Sequence, residues 1–397
     1  MLNTAFSPWP SYSEEEADAV RQVLLSNKVN YWTGSECREF EKEFAQWAGT
    51  THAIALANGT IALDVALKAI GIEQGDEVIV TSRTFIASAS SIVTCGGTPV
   101  FADVDANSQN ITAETIQAVM TPKTKAIICV HLAGWPCDMD PILELAKKFN
   151  LYVIEDCAQA HGAKYKGRSV GSIGHIGAWS FCQDKIMTTG GEGGMVTTHD
   201  EKLWACMWSY KDHGKSWDAV YNEQHEPGFR WLHRNFGMNG RMIEMQAAIG
   251  RIQLKKMTAW QQQRLGNLKM IYEVASTLKG LRVPQIPDDI VHAAYKCYVF
   301  VEENELAPGW SRCRILNEIN HRGVPCYQGS CSEVYLEKAF DGTKSRPLNR
   351  LPVAMKLGET SLMFLVHPTL MKSEIEKTCQ VLQEVMLEAT SLKAMNQ

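Results

Sequence analysis

Residues 125–156 read KAIICVHLAGWPCDMDPILELAKKFNLYVIED, and the fold follows from them. The stretch opens on a β-branched run, KAIICVH (125–131). It passes through MDPILELAKKF (139–149), whose length suits a helix, and closes on LYVIED (151–156). Two short apolar runs joined by a helix-length segment make a crossover unit, the connection that parallel strands require. Outward from this unit, HAIALA (52–57), DEVIVT (76–81) and TPVFADV (98–104) are further short runs, and TIALDVALKAI (60–70) is a helix with an apolar face. The alternation predicts an α/β fold: a mostly parallel sheet covered by helices on both faces.

Before the first strand, residues 13–47 read as helix. Ser13 and the acids Glu14, Glu15 and Glu16 form a capped first turn, and a second stretch after YWTG carries Phe40, Phe44 and Trp47. From about residue 242 the texture changes to one long helical run ending near residue 278. KCYVFVE (296–302), another helix and a terminal helix from Ser373 follow. The expected division is a large domain over 1–250 and a linking helix with a small α+β domain over 251–397.

The bulk numbers exclude several classes. With 44 acids against 39 lysines and arginines, the net charge of -5 gives no basic face for nucleic acid. The twelve cysteines run singly, without a C-x-x-C pair, as reduced thiols do. The start carries no basic-then-apolar leader, and no apolar run approaches a membrane span. The expectation is a cytoplasmic protein without membrane contact.

Three segments carry candidate chemistry. Asn58-Gly59-Thr60 lies between a strand and a helix, where the first helix amides and the helix dipole bind phosphate. Glu155 and Asp156 end a strand at the edge where ligands collect, and neighbours in a strand face opposite sides. One therefore faces the site, where it can pair with a protonated ring nitrogen, and the other makes a structural contact. WSFCQDKIMTTGGEGG (179–194) sets Lys185 between an apolar run and a glycine cluster, and a desolvated lysine amine forms a Schiff base with a carbonyl. Each segment has a bland alternative: a structural turn, a helix-capping aspartate, a solvated lysine. Together they describe a ligand with a phosphate, a pyridine nitrogen and an aldehyde, which is pyridoxal 5'-phosphate (PLP). Two other readings are weaker. GGEGG lacks the spacing of a dinucleotide loop, and His131 with Cys137 lacks the further ligands of a zinc site, so no metal is expected.

Across nearly its whole length the chain resembles the DegT/DnrJ/EryC1/StrS sugar aminotransferases, within the fold type I PLP enzymes. The likeness runs through GSECREFEKEFAQWAGTTHAIALANGTIALDVAL, TFIASASSI, IEDCAQAHGA, GAWSFCQDKIMTTGGEGGM and MNGRMIEMQAAIGRIQLKK. It implies a seven-stranded sheet and a smaller C-terminal domain. It makes Lys185 the Schiff-base lysine and proton shuttle, Asp156 the partner of the pyridine nitrogen and Gln159 the contact to the ring's phenolic oxygen. Phe85 would lie against the ring, and Gly59, Thr60 and Ser180 would hold the phosphate. Asn239 would reach the neighbouring subunit's phosphate in a homodimer with shared active sites. Arg241, Tyr31, Ser330 and Glu333 are the expected substrate contacts, Arg241 for the donor carboxylate. A lysine at 185, where dehydrating relatives carry histidine, implies transamination from L-glutamate to a keto- or aldehydo-sugar.

The resemblance departs at GVPCYQGSCSEVYLEKAF (323–340), where Glu333 argues against a diphosphate. This stretch is similar to a branch that aminates 8-oxo-3-deoxy-octulosonate to 8-amino-3,8-dideoxy-octulosonate for lipopolysaccharide. A nucleotide-linked keto-6-deoxy sugar is the alternative. In another class stands a PLP-binding regulator without turnover.

Overall fold

The computed structural model describes residues 5–224 and 230–391. Its strands are β1 (His52–Leu56), β2 (Glu77–Thr81), β3 (Thr98–Ala102), β4 (Thr124–Val130), β5 (Tyr152–Asp156), β6 (Lys164–Tyr165) and β7 (Arg168–Ser169). They continue as β8 (Ile176–Ser180), β9 (Gly194–Thr198), β10 (Leu281–Arg282), β11 (Ile290–Val291), β12 (Cys297–Val301), β13 (Cys326–Tyr327) and β14 (Ser361–Phe364). The helices of the first half are α1 (Glu14–Leu25), α2 (Glu36–Ala48), α3 (Gly59–Ala69), α4 (Ala87–Thr94), α5 (Ala113–Gln117) and α6 (Met139–Phe149). Those of the second are α7 (Glu201–Lys211), α8 (Trp217–Tyr221), α9 (Glu244–Ala275), α10 (Arg312–His321), α11 (Pro352–Thr360) and α12 (Lys372–Thr390).

The unit at 125–156 forms as expected. β4 and β5 are adjacent and parallel, and Val130 stands opposite Asp156. Between them α6 buries Met139, Ile142, Leu145 and Ala146, a spacing that keeps one helix face against the sheet. It ends at Asn150 in the left-handed conformation, which a short polar side chain tolerates. The seven strands run in the order β1-β9-β8-β5-β4-β2-β3. β2, β3, β4, β5 and β8 pair in parallel, while β9 lies antiparallel to both β1 and β8. The sheet is therefore mostly parallel, with helices packed on it, as the alternation requires.

The expected helix over 13–47 is two helices, α1 and α2, with non-helical chain over 26–35. The Glu16 carboxylate accepts from the Ser13 backbone N–H at 2.9 Å, so the first turn is capped from within. α9 runs unbroken from Glu244 to Ala275, so the boundary expected at residue 250 falls inside a helix that serves both parts of the chain. Beyond it, β10-β12-β14-β13 form a four-stranded antiparallel sheet. α9, α10 and α12 close over one face, with Ile271, Ile315, Ile319, Leu362, Phe364 and Leu382 fully buried between them. Tyr298 and Phe300 of β12 instead pack into the core beside Ile127 and Ile142, so this sheet seals one side of the large one. Among the described residues no helix is long and apolar enough to cross a membrane.

Candidate active site

A cavity of about 1090 Å³ opens beyond the carboxyl ends of β4 and β5, the edge where such sheets bind ligands. Asp156, Lys185, Gln159, Ser180, Gly59, Thr60, Phe85 and Ser330 all line it. The tertiary fold thus brings together eight of the twelve residues named from the sequence.

The two carboxylates that end β5 part company as strand geometry demands. Glu155 is fully buried on the far side, where it accepts from His131 Nε2 at 2.9 Å and from the backbone N–H groups of Gly171, Ile173 and Gly174 at 2.7–2.9 Å. Burial pushes its pKa up, but His131 and these amides outweigh burial and hold it below the ordinary value. Asp156 faces the cavity and accepts from Ser88 Oγ at 2.8 Å and from the Ala158 N–H at 3.1 Å. Burial raises its pKa, against the pull of Ser88, Ala158 and Lys185. A cationic ring nitrogen brought to this carboxylate would supply the missing charge.

Lys185 stands across the cavity on the loop after β8. Its carbonyl accepts from Trp9 Nε1 at 2.8 Å, which ties the loop to the N-terminal segment. Its ammonium lies 3.4 Å from Asp184 Oδ1 and 5.4 Å from the Tyr295 ring centre, and Asp184 accepts from the Tyr295 hydroxyl at 2.5 Å. Burial raises the Asp184 pKa, yet Lys185, Tyr295 and Lys296 hold it below the ordinary value.

The start of α3 is the candidate phosphate cradle. The Asn58 side chain caps the helix by accepting from the Ile61 N–H at 2.9 Å, so the earlier amides of Gly59 and Thr60 remain for an anion. Gly59 packs so tightly on Ser180 that a Cβ there would lie 2.5 Å from the serine's Cβ. Gln159 uses its side-chain oxygen on the Ala133 N–H at 2.8 Å, leaving its amide NH₂ as the donor. Phe85 is 68% exposed on the cavity wall, a large aromatic face with room for a flat ring. These features fit PLP: amides and a hydroxyl for the phosphate, a carboxylate for the nitrogen, an amine for the aldehyde and an open aromatic face.

Four expected residues lie outside this cavity. Tyr31 is buried, with its hydroxyl 3.3 Å from Glu41 Oε2 and the Lys211 ammonium 3.5 Å from its ring centre, so in this structure it packs in the core rather than on the cavity wall. Glu333 is held by Arg350 at 2.5 Å and by the Tyr335 hydroxyl at 2.5 Å. Its charge is therefore paired within the protein, beside Val334 and Tyr335, which pack into the core of the large sheet. Arg241 donates to the buried Asp212 at 2.7 Å, which the Trp32 indole and Lys215 also approach. Asn239 is exposed and forms an isolated antiparallel bridge with Asp212 at the end of α7. His131 and Cys137 do sit together, with the Cys137 N–H donating to His131 Nδ1 at 3.0 Å. Because Glu155 takes the other ring nitrogen, His131 is a structural link.

Sequence reasoning did not single out Ser88, Asp184, Tyr295 or Lys296. Asp184 was legible as the neighbour of Lys185. Ser88 lies in the motif TFIASASSI but 68 positions before its partner. Tyr295 and Lys296 belong to the small domain, and only folding brings them against Lys185.

The fold and this constellation define a PLP-dependent aminotransferase. Residues 10–383 match the DegT/DnrJ/EryC1/StrS aminotransferase family, and the chain belongs to it. A solved structure of an aminotransferase from Psychrobacter cryohalolentis is 64% identical, with a TM-score of 0.96 over 97% of this chain and 100% of that one. The GDP-perosamine synthase of Caulobacter vibrioides is 47% identical over 261 residues, 62% of this chain and 67% of that protein. The UDP-N-acetyl-3-dehydro-alpha-D-glucosamine 3-aminotransferase of Acidithiobacillus ferrooxidans is 34% identical over 387 residues, 97% of this chain and 96% of that protein. The chain is a sugar aminotransferase that uses PLP.

Proposed function

We propose that this enzyme moves the amino group of L-glutamate onto the carbonyl of a nucleotide-linked keto-sugar. The observation that carries the reading is the convergence of Lys185, Asp156, the start of α3 and Phe85 on one cavity. PLP, once bound, supplies an electron sink for the pair left when the substrate's α-proton is removed. Asp156 keeps the ring nitrogen protonated and so deepens that sink. Lys185 would hold the cofactor by its aldehyde carbon, and its Nζ, when free, would carry the proton at the substrate carbon. Gly59, Thr60 and Ser180 fix the phosphate so that the ring does not drift from Asp156, and Gln159 donates its NH₂ toward the ring's edge. Glutamate leaves as 2-oxoglutarate, and the sugar carbonyl takes the amino group in a second, separate step.

The nucleotide-linked acceptor is supported by the relatives, whose names carry GDP- and UDP-linked sugars. It is also supported by the pairing of Glu333 with Arg350, which removes the acid that argued against a diphosphate. An 8-oxo-3-deoxy-octulosonate acceptor is the second reading. It is kept open by the wall, whose cations Lys185 and Lys296 face the acids Asp156, Asp184, Glu192 and Glu337 among the described residues and so suit a single carboxylate better than a diphosphate. We read the enzyme as a cytoplasmic homodimer, with the exposed Asn239 offered to the partner copy's phosphate. Trp231 and Phe236 on the same segment are 88% and 98% exposed, as residues awaiting a second copy would be.

The test is spectroscopic. L-Glutamate alone should bleach the yellow holoenzyme, Lys185→Ala should show neither the colour nor the bleaching, and the true acceptor sugar should restore the colour. Restoration by 8-oxo-3-deoxy-octulosonate and by no nucleotide-linked keto-sugar would select the second reading. A purified protein that takes up no PLP would sink both.

A further inference from the structure

Arg264 lies on α9 with its guanidinium fully buried, and its Nε and Nη2 have no hydrogen-bond partner. Its charge rests 5.0 Å from the Trp9 ring centre, and burial pushes its pKa down to about 9. An arginine enclosed without an acid is costly, because its lost hydration is not repaid. Beside it stands Lys296, which lines the cavity next to Lys185. The two ammonium groups lie 4.9 and 5.4 Å from the centre of the same Tyr295 ring. Burial lowers the Lys296 pKa to about 8; Asp184 opposes this, while Arg264 and Lys185 add to it.

The charges around Lys296 do not balance. Lys185, Lys296 and Arg264 are three cations, and Asp184 is the carboxylate that faces the two lysines. Asp156 answers Lys185 alone, from the ring-nitrogen side. His161 and His367, pressed by burial and by these same cations, are pushed down to about 3 and stay neutral. Tyr295 is held in its neutral form by burial and by Asp184. Around Lys296, then, positive charge outweighs the single carboxylate of Asp184, since Glu192 and Glu337 line the same cavity but do not act on Lys296. Arg241 is not part of this cluster, since Asp212 holds it outside the cavity.

We propose that Lys296, backed by Arg264, is the subsite that binds a carboxylate of the amino donor. The assignment rests on the reading that Lys185 carries the cofactor and that the donor is an amino dicarboxylate. A carboxylate entering there would pair with Lys296, while Arg264, buried behind the wall and outside the cavity lining, adds positive potential, and the donor's amine would lie toward Lys185. The same chemistry would suit an acidic sugar acceptor, and the two sources separate by half-reaction.

The experiment follows bleaching of the yellow holoenzyme by L-glutamate in the wild type, Lys296→Met and Lys296→Arg. The methionine variant should keep its colour and need about tenfold more glutamate for half-maximal rate, with a limiting rate within about threefold of wild type. The arginine variant should recover most of the loss. Glutarate, which has the carboxylates but no amine, should compete in the wild type and not in Lys296→Met. Its affinity for the wild type should fall as pH rises past about 8, where the Lys296 charge is lost. Half-saturation unchanged by Lys296→Met, or a loss confined to the limiting rate, overturns the proposal. So does a variant impaired only in the sugar half-reaction. Should Lys296→Met fail to hold the cofactor, glutarate affinity that does not change with pH in the wild type overturns it. A wild type that binds glutarate with this pH dependence but is not bleached by glutamate keeps the subsite and refutes the glutamate donor instead.

Discussion

Ser88 donates its hydroxyl to Asp156 Oδ2 at 2.8 Å, from the first turn of α4 to the last residue of β5. This bond aims the carboxylate at the place a pyridine nitrogen would take, and the Ala158 N–H holds the other oxygen. The carboxylate is orientated before any ligand arrives.

Asp156→Asn should separate catalysis from stability. The amide keeps an acceptor for Ser88 but removes the charge that holds the ring nitrogen protonated. The glutamate half-reaction should slow by about 10²-fold or more, close to 3 kcal/mol of barrier. Burial raises the pKa of Asp156, so its ionised form opposes folding, and the penalty grows as pH rises through the unfolded value near 4. The cofactor-free variant should therefore be at least as resistant to urea at neutral pH as the wild type. A large loss of stability would show that the carboxylate is structural.

Glu155→Gln should do the reverse. The folded pKa of Glu155 is depressed, so its contribution is present above an unfolded value near 4.3 and is lost as pH falls through the lower folded value. The variant should lose about 2–4 kcal/mol in urea at neutral pH, because a buried set of donors loses its anion. The gap to wild type should narrow below pH of about 4. Equal stability at neutral pH would contradict this role.

Gly59→Ala forces a Cβ to within 2.5 Å of Ser180 Cβ, so the cradle must open. PLP affinity, measured by titrating the cofactor-free protein, should fall about tenfold or more. Ser180→Ala should cost about fivefold, the worth of a hydroxyl bond near 1 kcal/mol. Ser180→Gly placed on Gly59→Ala should recover part of the loss. Full additivity of the two changes would mean that the residues do not share the cradle.

Glu333→Gln should lower the melting temperature and leave the half-saturation for glutamate unchanged. The carboxylate is tied to Arg350 and Tyr335. Burial pushes its pKa up, but Arg350 and Tyr335 outweigh it, so the pair's contribution should fade as pH falls below the unfolded value near 4.3. A changed sugar dependence without a change in melting temperature would restore it as a substrate contact.

Much of this protein is local information. The crossover unit at 125–156 is written in the alternation of β-branched runs with an apolar helix face, and such periodicities act within a few residues. Opposite facing of Glu155 and Asp156 follows from the strand's two-residue repeat, although which carboxylate would face the cavity did not. The cradle at Gly59 and Thr60 and the lysine after β8 were readable because each lies at the end of an element the sequence itself marks.

Long-range packing decided the rest. Tyr31 and Glu333 look like polar contacts in the chain, yet folding brings Lys211 to one in the interior and Arg350 to the other near the surface. Arg241 is claimed by Asp212 in the same way. Lys296 is unremarkable in KCYVFVE until β12 seats it beside Lys185, and Arg264 is one residue of a long helix until burial removes its water. An element's pattern is set by neighbours in sequence, whereas a side chain's charge partner is set by whichever distant segment packs against it. The positions that bind and react depend on the second, so only the tertiary structure could assign them.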